Sequence, residues 1–429
     1  VTLNKPIYTG GSGNTIDITA NSGSGTITLA TGTIVIDSLD AGGGNGAITL
    51  TGNVKGTQNL DILSGTGLAT ITGNIGYDGA GAAALTSLDI NAVEAATNTG
   101  GVTLGGNIGT SAAAGAGATA IGNAETTGTV TLSGAEYNTS STQTYKATAF
   151  AINGTNPEFQ GANAAIKFLQ GASSGDVTLA DAANLTITGG SGAIEFGGDI
   201  LGTANGESTS VTLNTTGAVT VKSIGADGST AESPGNINDV TITGGSISMN
   251  GTISTAVLGG SGEEAATDKG DVDINGAVTL AGAVTIDTSS SGGTVHFDNT
   301  IDGGSNLTIN SGAGTVTSAG VIGGGTAIGN LVINAASASH TGAGIINIDD
   351  IGDTDAVAAA GTVNVGNSNT ADLNLTGDIY RIGAAVFTAS SGSGGNNIDL
   401  TDAAGNVEFD LANASLEFAG SNIELSGGT

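Results

Sequence analysis

The chain of 429 residues has no cysteine and no tryptophan, only 3 prolines and only 7 lysines and arginines. Without cysteine there can be no disulfide bonds and no thiolate metal sites. The few basic residues are scattered, and the net charge is −31. This excludes nucleic acid as a natural partner, because neutralising phosphates requires clustered lysine and arginine. No apolar run approaches the roughly 20 residues of a transmembrane segment.

These absences point to a location outside the cell. A chain exported through an oxidising compartment benefits from having no cysteine, and few lysines and arginines leave few sites for trypsin-like proteases. The opening residues Val1-Thr2-Leu3 have the pattern of a strand rather than of a signal peptide. We therefore expect an extracellular or bacterial cell-surface protein, and a processed product or a segment of a longer precursor.

Glycine is abundant, with 77 residues, and threonine, serine, asparagine and alanine are frequent. Glycine disfavours helices, whereas threonine, valine and isoleucine favour strands. With only 5 tyrosines and 8 phenylalanines, the chain lacks the bulky side chains that fill wide cores. The composition predicts an all-β protein with a narrow core of valine, isoleucine, leucine and alanine.

A seven-residue pattern of apolar, any, apolar, any, glycine, any, apolar is complete from Ile48 to Val54. It starts again at Val102, Ile194, Ile247, Val272, Val278 and Leu373, and near copies start at Ala69, Val130, Val295 and Val316. Alternation that stops at glycine and then resumes predicts a strand, a tight corner and another strand. We expect Ile48, Leu50 and Val54 to face inward, and Thr49 and Thr51 to face outward.

The spacing of the copies predicts the length of one repeat. Copies that start at residues 48, 69, 102 and 130 are separated by 21, 33 and 28 residues, which is within the period of stacked-repeat proteins. We predict a parallel β-helix (β-solenoid), an elongated rod of about 16 coils. It would be one continuous domain with an N-terminal part at 1–136, a distinct segment at 137–175 and a C-terminal part at 176–429.

The segment at 137–175 is distinct because it contains five aromatic residues, Tyr137, Tyr145, Phe150, Phe159 and Phe168. One interpretation is a wider coil, or a short hairpin or helix packed on the rod. The other interpretation is an exposed surface for recognition or lateral contacts, because aromatic side chains contribute strongly to binding interfaces. The five residues are therefore candidate interaction residues.

Three stretches carry a resemblance to a known family. They are Gln143-Thr144-Tyr145, then Gly293 to Phe297 followed by Asn306 to Asn310, and the stretch from Gly323 to Asn334. Here the chain resembles the bacterial surface proteins with filamentous-haemagglutinin-like repeats. The resemblance covers most of residues 40 to 380 and implies a right-handed β-solenoid from a large secreted protein.

Closely spaced acidic residues are the candidates for binding Ca²⁺, which prefers several oxygen ligands. The first set is Asp349, Asp350, Asp353 and Asp355, and the second set is Asp268, Asp271 and Asp273. Neither set matches an EF-hand loop. The alternative interpretation is that both sets lie in ordinary solvated acidic loops. Ca²⁺ is the one cofactor that we consider.

Catalysis would depend on uncommon residue types, and only His296, His340 and Arg381 qualify. His296 alternates with Val295 and Phe297, so we expect its side chain to face outward from a strand. No recognisable catalytic pattern surrounds the acidic residues, so we expect a protein without enzymatic activity. A polysaccharide lyase or hydrolase on a β-helix is the less favoured alternative.

Two other functions fit the repeats better. The favoured hypothesis is a structural subunit of an extracellular fibre or surface layer, whose partners are copies of the same chain, packed end to end or laterally. It is motivated by the exposed strand edges that an uncapped β-helix presents. The alternative is an adhesin stalk that binds surface glycans or host receptors through the segment at 137–168.

Overall fold

The structure, a computed structural model, describes residues 1–10, 14–20, 25–39, 46–77, 81–93, 98–181, 183–203, 209–225, 237–255, 270–335, 344–353, 361–383, 386–392, 397–401, 407–411, 415–419 and 422–426. Every regular element in these residues is a β-strand, and parallel strands stack as a β-solenoid. The predicted fold class is confirmed, and the solenoid has about 12 turns, somewhat fewer than the predicted 16 coils. No helix of the described residues is long and apolar enough to cross a membrane.

The first of two compact units comprises Val1–Leu201 and Thr212–Gly217. Its strands are short and are β1 (Thr2–Leu3), β2 (Ile7–Thr9), β3 (Ile16–Thr19), β4 (Thr26–Leu29), β5 (Ile34–Asp37), β6 (Ile48–Thr51), β7 (Asn53–Lys55), β8 (Asn59–Leu63), β9 (Ala69–Ile71), β10 (Leu85–Ile90), β11 (Val102–Leu104), β12 (Ala116–Ile121), β13 (Thr129–Leu132), β14 (Glu136–Thr139), β15 (Gln143–Ala147), β16 (Ala149–Ile152), β17 (Glu158–Gly161), β18 (Ile166–Gln170), β19 (Asp176–Leu179), β20 (Leu185–Gly190), β21 (Ile194–Phe196), β22 (Ile200–Leu201) and most of β23 (Val211–Thr215).

The second unit comprises Gly202–Val211 and Ala218–Thr429. Its strands are β24 (Ala218–Val221), β25 (Val240–Thr243), β26 (Ser246–Ser254), β27 (Val272–Asn275), β28 (Val278–Asp287), β29 (Val295–Phe297), β30 (Ile301–Asp302), β31 (Leu307–Asn310), β32 (Val316–Ser318), β33 (Leu331–Ile333), β34 (Ile346–Ile348), β35 (Val363–Val365), β36 (Leu373–Leu375), β37 (Ile379–Ile382), β38 (Phe387–Ser390), β39 (Asn397–Thr401), β40 (Glu408–Leu411), β41 (Leu416–Ala419) and β42 (Asn422–Ser426).

The strands of the first unit form three parallel columns, which the chain visits in a fixed order on every coil. Column 1 contains β1, β4 and β7, then bridges at Ile75 and Ile108, then β14, β17 and β20. Column 2 contains β2, β5, β8, β10, β12, β15, β18 and β21. Column 3 contains β3, β6, β9, β11, β13, β16, β19 and β22.

The register within column 3 explains the repeating pattern of the sequence. Ile48 pairs with Ala69, Ala69 pairs with Val102, and Val102 pairs with Val130. These four copies of the pattern therefore lie directly one on another, and the separation between them is the length of one coil. The variation in that length lies in the corner loops, as the sequence predicted.

Alternation along each strand separates the core from the surface. Ile48, Leu50 and Val54 are fully buried, whereas Thr49 and Thr51 on the other face are half-buried. Both orientations agree with the prediction. Burying a valine, leucine or isoleucine side chain stabilises a fold by about 1.5–3 kcal/mol, so a core of such residues repeated on every coil supports the whole column.

A column of glycines explains why the pattern contains glycine at its corner. Gly52, Gly73, Gly106, Gly134 and Gly154 lie one above another, and a Cβ atom on any of the last four would collide with the glycine of the coil before it. Backbones that approach this closely leave no room for a side chain. The corner glycine is required by contact between coils.

The second unit contains the same arrangement as the first at equivalent levels. Its counterparts to Ile75, Ile108 and Tyr137 are three residues that bridge successive coils in the same way, Ile322, Ile351 and Tyr380. The N–H of Gly134 donates to Tyr137 Oη at 2.8 Å, and the N–H of Gly377 donates to Tyr380 Oη at 2.9 Å. These matching contacts identify an internal repeat that the two units share, which the sequence pattern did not predict.

The duplication extends to the other two columns. Val295, Val316, Ile346, Leu373, Ile398 and Ile423 follow one another in register, as do Ile48, Ala69, Val102, Val130, Phe150 and Val177 in the first unit. In β41 of the second unit, Phe418 occupies the level that Phe168 of β18 occupies in the first. The matching pair in the preceding strands is Phe409 of β40 and Phe159 of β17.

Replacement of Gly106 by alanine tests the glycine column. The new Cβ atom would lie 2.6 Å from the carbonyl group of Gly73, so we expect Gly106→Ala to lower the free energy of unfolding by about 1–3 kcal/mol. The measurement is chemical denaturation followed by circular dichroism. Gly81→Ala is the matched control, because a Cβ atom there meets nothing within 4 Å. Equal losses of stability in Gly106→Ala and Gly81→Ala would contradict the requirement for glycine at the corner.

Candidate functional site

The five aromatic residues of the segment at 137–175 lie in the core. Tyr137, Tyr145, Phe150, Phe159 and Phe168 are each at most 1% exposed. Their strands, β14 to β18, are ordinary members of the three columns. The prediction that these side chains form an interaction surface is wrong, because each one occupies an inward position of its strand.

Ring stacking between coils gives these aromatic residues their role. The rings of Tyr137 and Phe159 are stacked with centroids 4.5 Å apart, those of Tyr145 and Phe168 are 4.9 Å apart, and those of Phe168 and Phe196 are 5.1 Å apart. Offset or edge contacts of this kind stabilise aromatic pairs beyond their buried area. Burial raises the pKa of the Tyr137 and Tyr145 hydroxyl groups, so both remain protonated and available for hydrogen bonds.

The first acidic set is only partly brought together. Asp350 Oδ1 accepts a hydrogen bond from the N–H of Ile379 at 2.8 Å, so it caps the backbone of the next coil. Burial, with a smaller effect of the Asp350 charge, raises the pKa of Asp349. The carbonyl group of Asp353 accepts a hydrogen bond from the Arg381 guanidinium. Asp355 lies outside the described residues, and the described part of the chain contains no group of three potential metal ligands.

The second acidic set is likewise engaged in bonds between coils. Asp271 Oδ1 accepts from the N–H of Thr294 at 2.7 Å, and Asp273 Oδ1 lies 2.9 Å from His296 Nδ1. Asp268 and His340 lie outside the described residues. The binding of Ca²⁺ at either set remains a prediction.

The His296 side chain faces outward, as predicted, and is 40% exposed. It belongs to a line of polar residues on successive coils of the second unit. After Asp273 and His296, this line continues through Thr317 to Asn347, whose Nδ2 donates to Thr317 Oγ1 at 3.2 Å. Asn374 Nδ2 then donates to Asn347 Oδ1 at 2.7 Å. Side-chain bonds on this line thus join Asp273 to His296, and Asn347 to the coils on both sides.

Asparagine side chains cap the backbone between coils in the same manner. Asn53 Oδ1 accepts from the N–H of Asn74 at 2.9 Å, and Asn74 Oδ1 accepts from the N–H of Asn107 at 3.0 Å. Asn107 Oδ1 in turn accepts from the N–H of Ala135 at 2.8 Å. The asparagine that follows the corner glycine at 53 and 74 is the sequence signal for this ladder.

A second asparagine network lies inside the corners. Asn91 Oδ1 accepts from the N–H of Ser64 at 2.8 Å, and Asn91 Nδ2 donates to Ser64 Oγ at 2.9 Å. Asn334 and Ser311 make the same two bonds in the second unit, at 2.8 and 2.9 Å. Both asparagines have a positive φ, 51° at Asn91 and 47° at Asn334. Each asparagine thus pairs with the backbone and the hydroxyl group of a serine on the neighbouring coil.

The first and last coils leave core positions open. Tyr8, Ile16 and Ile18 are half-buried in β2 and β3, whereas Ile48 and Leu50 of the next coil are fully buried. In the last coil, β40 and β41 hold Phe409 and Phe418, which are partly exposed. Leu416 is 39% exposed and Ile423 is 50% exposed. The candidate functional site of the described residues is the contact between successive coils, with its glycine column and its asparagine ladder.

No protein-family model matches this chain, and neither the curated proteins nor the solved structures contain a match. The resemblance to filamentous-haemagglutinin-like proteins therefore remains an expectation. The function has to be inferred from the geometry of the chain itself.

Replacement of Asn91 by glycine tests the corner network. Glycine keeps the positive φ but leaves the buried N–H of Ser64 without its acceptor, which costs about 1–3 kcal/mol. We expect Asn91→Gly to lower the free energy of unfolding by this amount in chemical denaturation. Asn156→Gly is the control, because Asn156 also has a positive φ, 47°, and is exposed. A similar loss of stability in Asn156→Gly would mean that the added glycine acts through the unfolded chain and not through the lost hydrogen bond.

Two stacked aspartates are expected to make the free energy of unfolding depend on pH. Asp61 and Asp89 are register partners on adjacent coils, and burial, with the charge of Asp89 second, raises the pKa of Asp61. A carboxyl group with a raised pKa in the folded state contributes most to stability when protonated, and this contribution is lost as the pH rises through that pKa. The charged pair therefore destabilises the fold at neutral pH.

We expect Asp61→Asn to raise the free energy of unfolding by about 0.5 kcal/mol at neutral pH. The gain should vanish below the ordinary aspartate pKa of about 3.9, where the carboxyl groups are protonated. Chemical denaturation at neutral pH and again below the ordinary aspartate pKa measures the free energy of unfolding of both chains. Asp17→Asn removes the same charge from an exposed residue whose register partner is Thr49, and should give no comparable gain. A pH-independent gain at Asp61 would refute the explanation.

Proposed function

We propose that the protein is a non-enzymatic structural protein that acts outside the cell, as the subunit of a fibre or surface layer built from copies of this β-solenoid. The observation that carries the proposal is the contact between coils. Within each unit the same parallel pairing joins each described coil to the next. Strand edges of this kind pair readily with other chains wherever no neighbouring strand covers them.

The use of polar side chains supports this proposal. The asparagine and aspartate residues at the coil boundaries are engaged with the neighbouring coil, as in the ladder of Asn53, Asn74 and Asn107. His296 is likewise paired with Asp273. Such side chains hold coils in register, which is the requirement for a building element. The proposed location outside the cell is supported by the absence of cysteine and the 7 basic residues.

The alternative of an adhesin stalk is less well supported. Its binding contacts were expected from the aromatic residues of the segment at 137–168, and those residues are buried. A structural subunit needs no such surface, since its partner is another copy.

The net charge of −31 determines how assembly should respond to salt. Copies with this charge repel one another, and salt screens the repulsion. We expect the purified chain to sediment as small species in dilute buffer and as larger ones when the ionic strength and protein concentration rise. Sedimentation velocity and electron microscopy measure this. A single monomeric species at every concentration and ionic strength would refute the proposed function.

The same series tests Ca²⁺. NaCl and CaCl₂ are compared at equal ionic strength, which separates screening from specific binding. Stronger assembly in CaCl₂ would support the predicted Ca²⁺ site at Asp349, Asp350, Asp353 and Asp355. Equal assembly in both salts would assign the effect to screening alone.

A further inference from the structure

We propose that Asp61 and Asp89, which lie on adjacent coils of the first unit, share one proton in mildly acidic surroundings and thereby tighten the contact between their coils. The two carboxyl groups act as a pH-sensitive contact built into the solenoid. The proposal goes beyond the proposed function, because it concerns a contact within one chain and requires no second copy.

The geometry brings the two side chains within reach of each other. Asp61 and Asp89 are register partners on the outward face of column 2, and both are half-buried. Register partners on parallel strands are about 4.8 Å apart. Asn347 and Asn374 have the same relation in the second unit, and Asn374 Nδ2 donates to Asn347 Oδ1 at 2.7 Å. Because aspartate and asparagine side chains have the same shape, an aspartate pair can make the same contact.

The aspartate pair lacks the hydrogen atom that the asparagine pair contains. An asparagine amide both donates and accepts, whereas an ionised carboxylate only accepts. Asp89 Oδ2 accepts a hydrogen bond from Ser87 Oγ at 3.1 Å, but the carboxylate of Asp61 has no donor among the residues that the structure describes. A single proton between the two carboxyl groups supplies the missing donor.

No positive charge on the neighbouring strands compensates the two aspartates. In the strands that carry and flank the pair, β5, β8, β10 and β12, the titratable residues are Asp37, Asp61 and Asp89, and all three are acidic. The register partners on the outer sides are apolar, Val35 beside Asp61 and Ala120 beside Asp89. Two like charges therefore face each other across one coil, which is unfavourable.

A salt bridge further along the same line shows how opposite charges behave in this position. The line of outward residues continues from Asp89 through Ala120 and Thr144 to Lys167 and Glu195. Lys167 Nζ lies 2.8 Å from Glu195 Oε2, again across one coil. Side chains on this line thus bond to the adjacent coil when their charges are opposite. At Asp61 and Asp89 the compensating positive charge has to come from solvent.

Burial favours the uptake of this proton. It raises the pKa of both carboxyl groups, and the charge of Asp89 raises the pKa of Asp61 further. Once one group is protonated, its O–H donates to the remaining carboxylate, and such charge-assisted hydrogen bonds are stronger than neutral ones. Because both pKa values are raised in the fold, the stabilisation is complete below the unfolded aspartate pKa of about 3.9 and is lost as the pH rises through the folded values.

A double-mutant cycle tests the shared proton. Chemical denaturation gives the equilibrium constants of unfolding for the unmodified chain, Asp61→Ala, Asp89→Ala and the double variant, and the cycle yields the coupling between the two side chains. We expect this coupling to be unfavourable at neutral pH. In mild acid, just above the ordinary aspartate pKa of about 3.9, it should become favourable by about two- to tenfold in the unfolding constant.

The salt bridge on the same line provides the matched control. The cycle of Lys167→Ala and Glu195→Ala should give a favourable coupling at neutral pH that weakens in acid, because protonation of a carboxylate removes its attraction to lysine. Asp61→Asn is the second control, since its amide is a permanent donor, and its coupling to Asp89 should be favourable already at neutral pH. Circular dichroism checks that all variants remain folded, which is expected for outward, half-buried positions.

Two outcomes would overturn the proposal. A coupling between Asp61 and Asp89 that falls to zero in acid without becoming favourable would mean that the charges only repel and share no proton. A coupling that becomes favourable at neutral pH when CaCl₂ replaces NaCl at equal ionic strength would mean that a cation, and not a proton, occupies the pair. The measurements use dilute single chains, so either result would leave the proposed function intact, and absence of assembly would leave this proposal intact.

Discussion

The structure depends on the contact of one coil with the next at the spacing of parallel strands, about 4.8 Å. This spacing forces the backbones together at the corners, where Gly52, Gly73 and Gly106 leave no room for a side chain. It also requires that each inward residue rest on an inward residue of its neighbour. Composition follows from this constraint, because only small corner residues and compact apolar core residues satisfy it on every coil.

Polar residues serve the same contact. Asparagine and aspartate oxygens accept hydrogen bonds from the backbone of the following coil, as Asn74 does for Asn107 and Asp350 for Ile379. Each such bond contributes about 0.5–1.5 kcal/mol and fixes the register as well. The surface chemistry of the described residues is thus largely directed along the columns, which supports a structural function.

The sequence predicted the fold through the alternation of Ile48, Leu50 and Val54 and through the spacing of their copies, since both are dictated by the strand period. It did not predict that Tyr137 and Phe159 are buried. Composition shows that aromatic residues cluster, whereas the position of each ring in the alternation along its strand decides whether it points inward. The bonds between Asn91 and Ser64 also require knowledge of which coils are adjacent, which a single sequence with variable loops does not provide.

The duplication of Tyr137 at Tyr380 has a consequence for how such a chain can change during evolution. Each coil contacts its neighbours through the same backbone and apolar contacts, so whole coils can be gained or lost without new contact chemistry. The length of such a chain can therefore change in steps of one coil, and the number of repeats in the gene, and not a redesigned core, sets the number of coils.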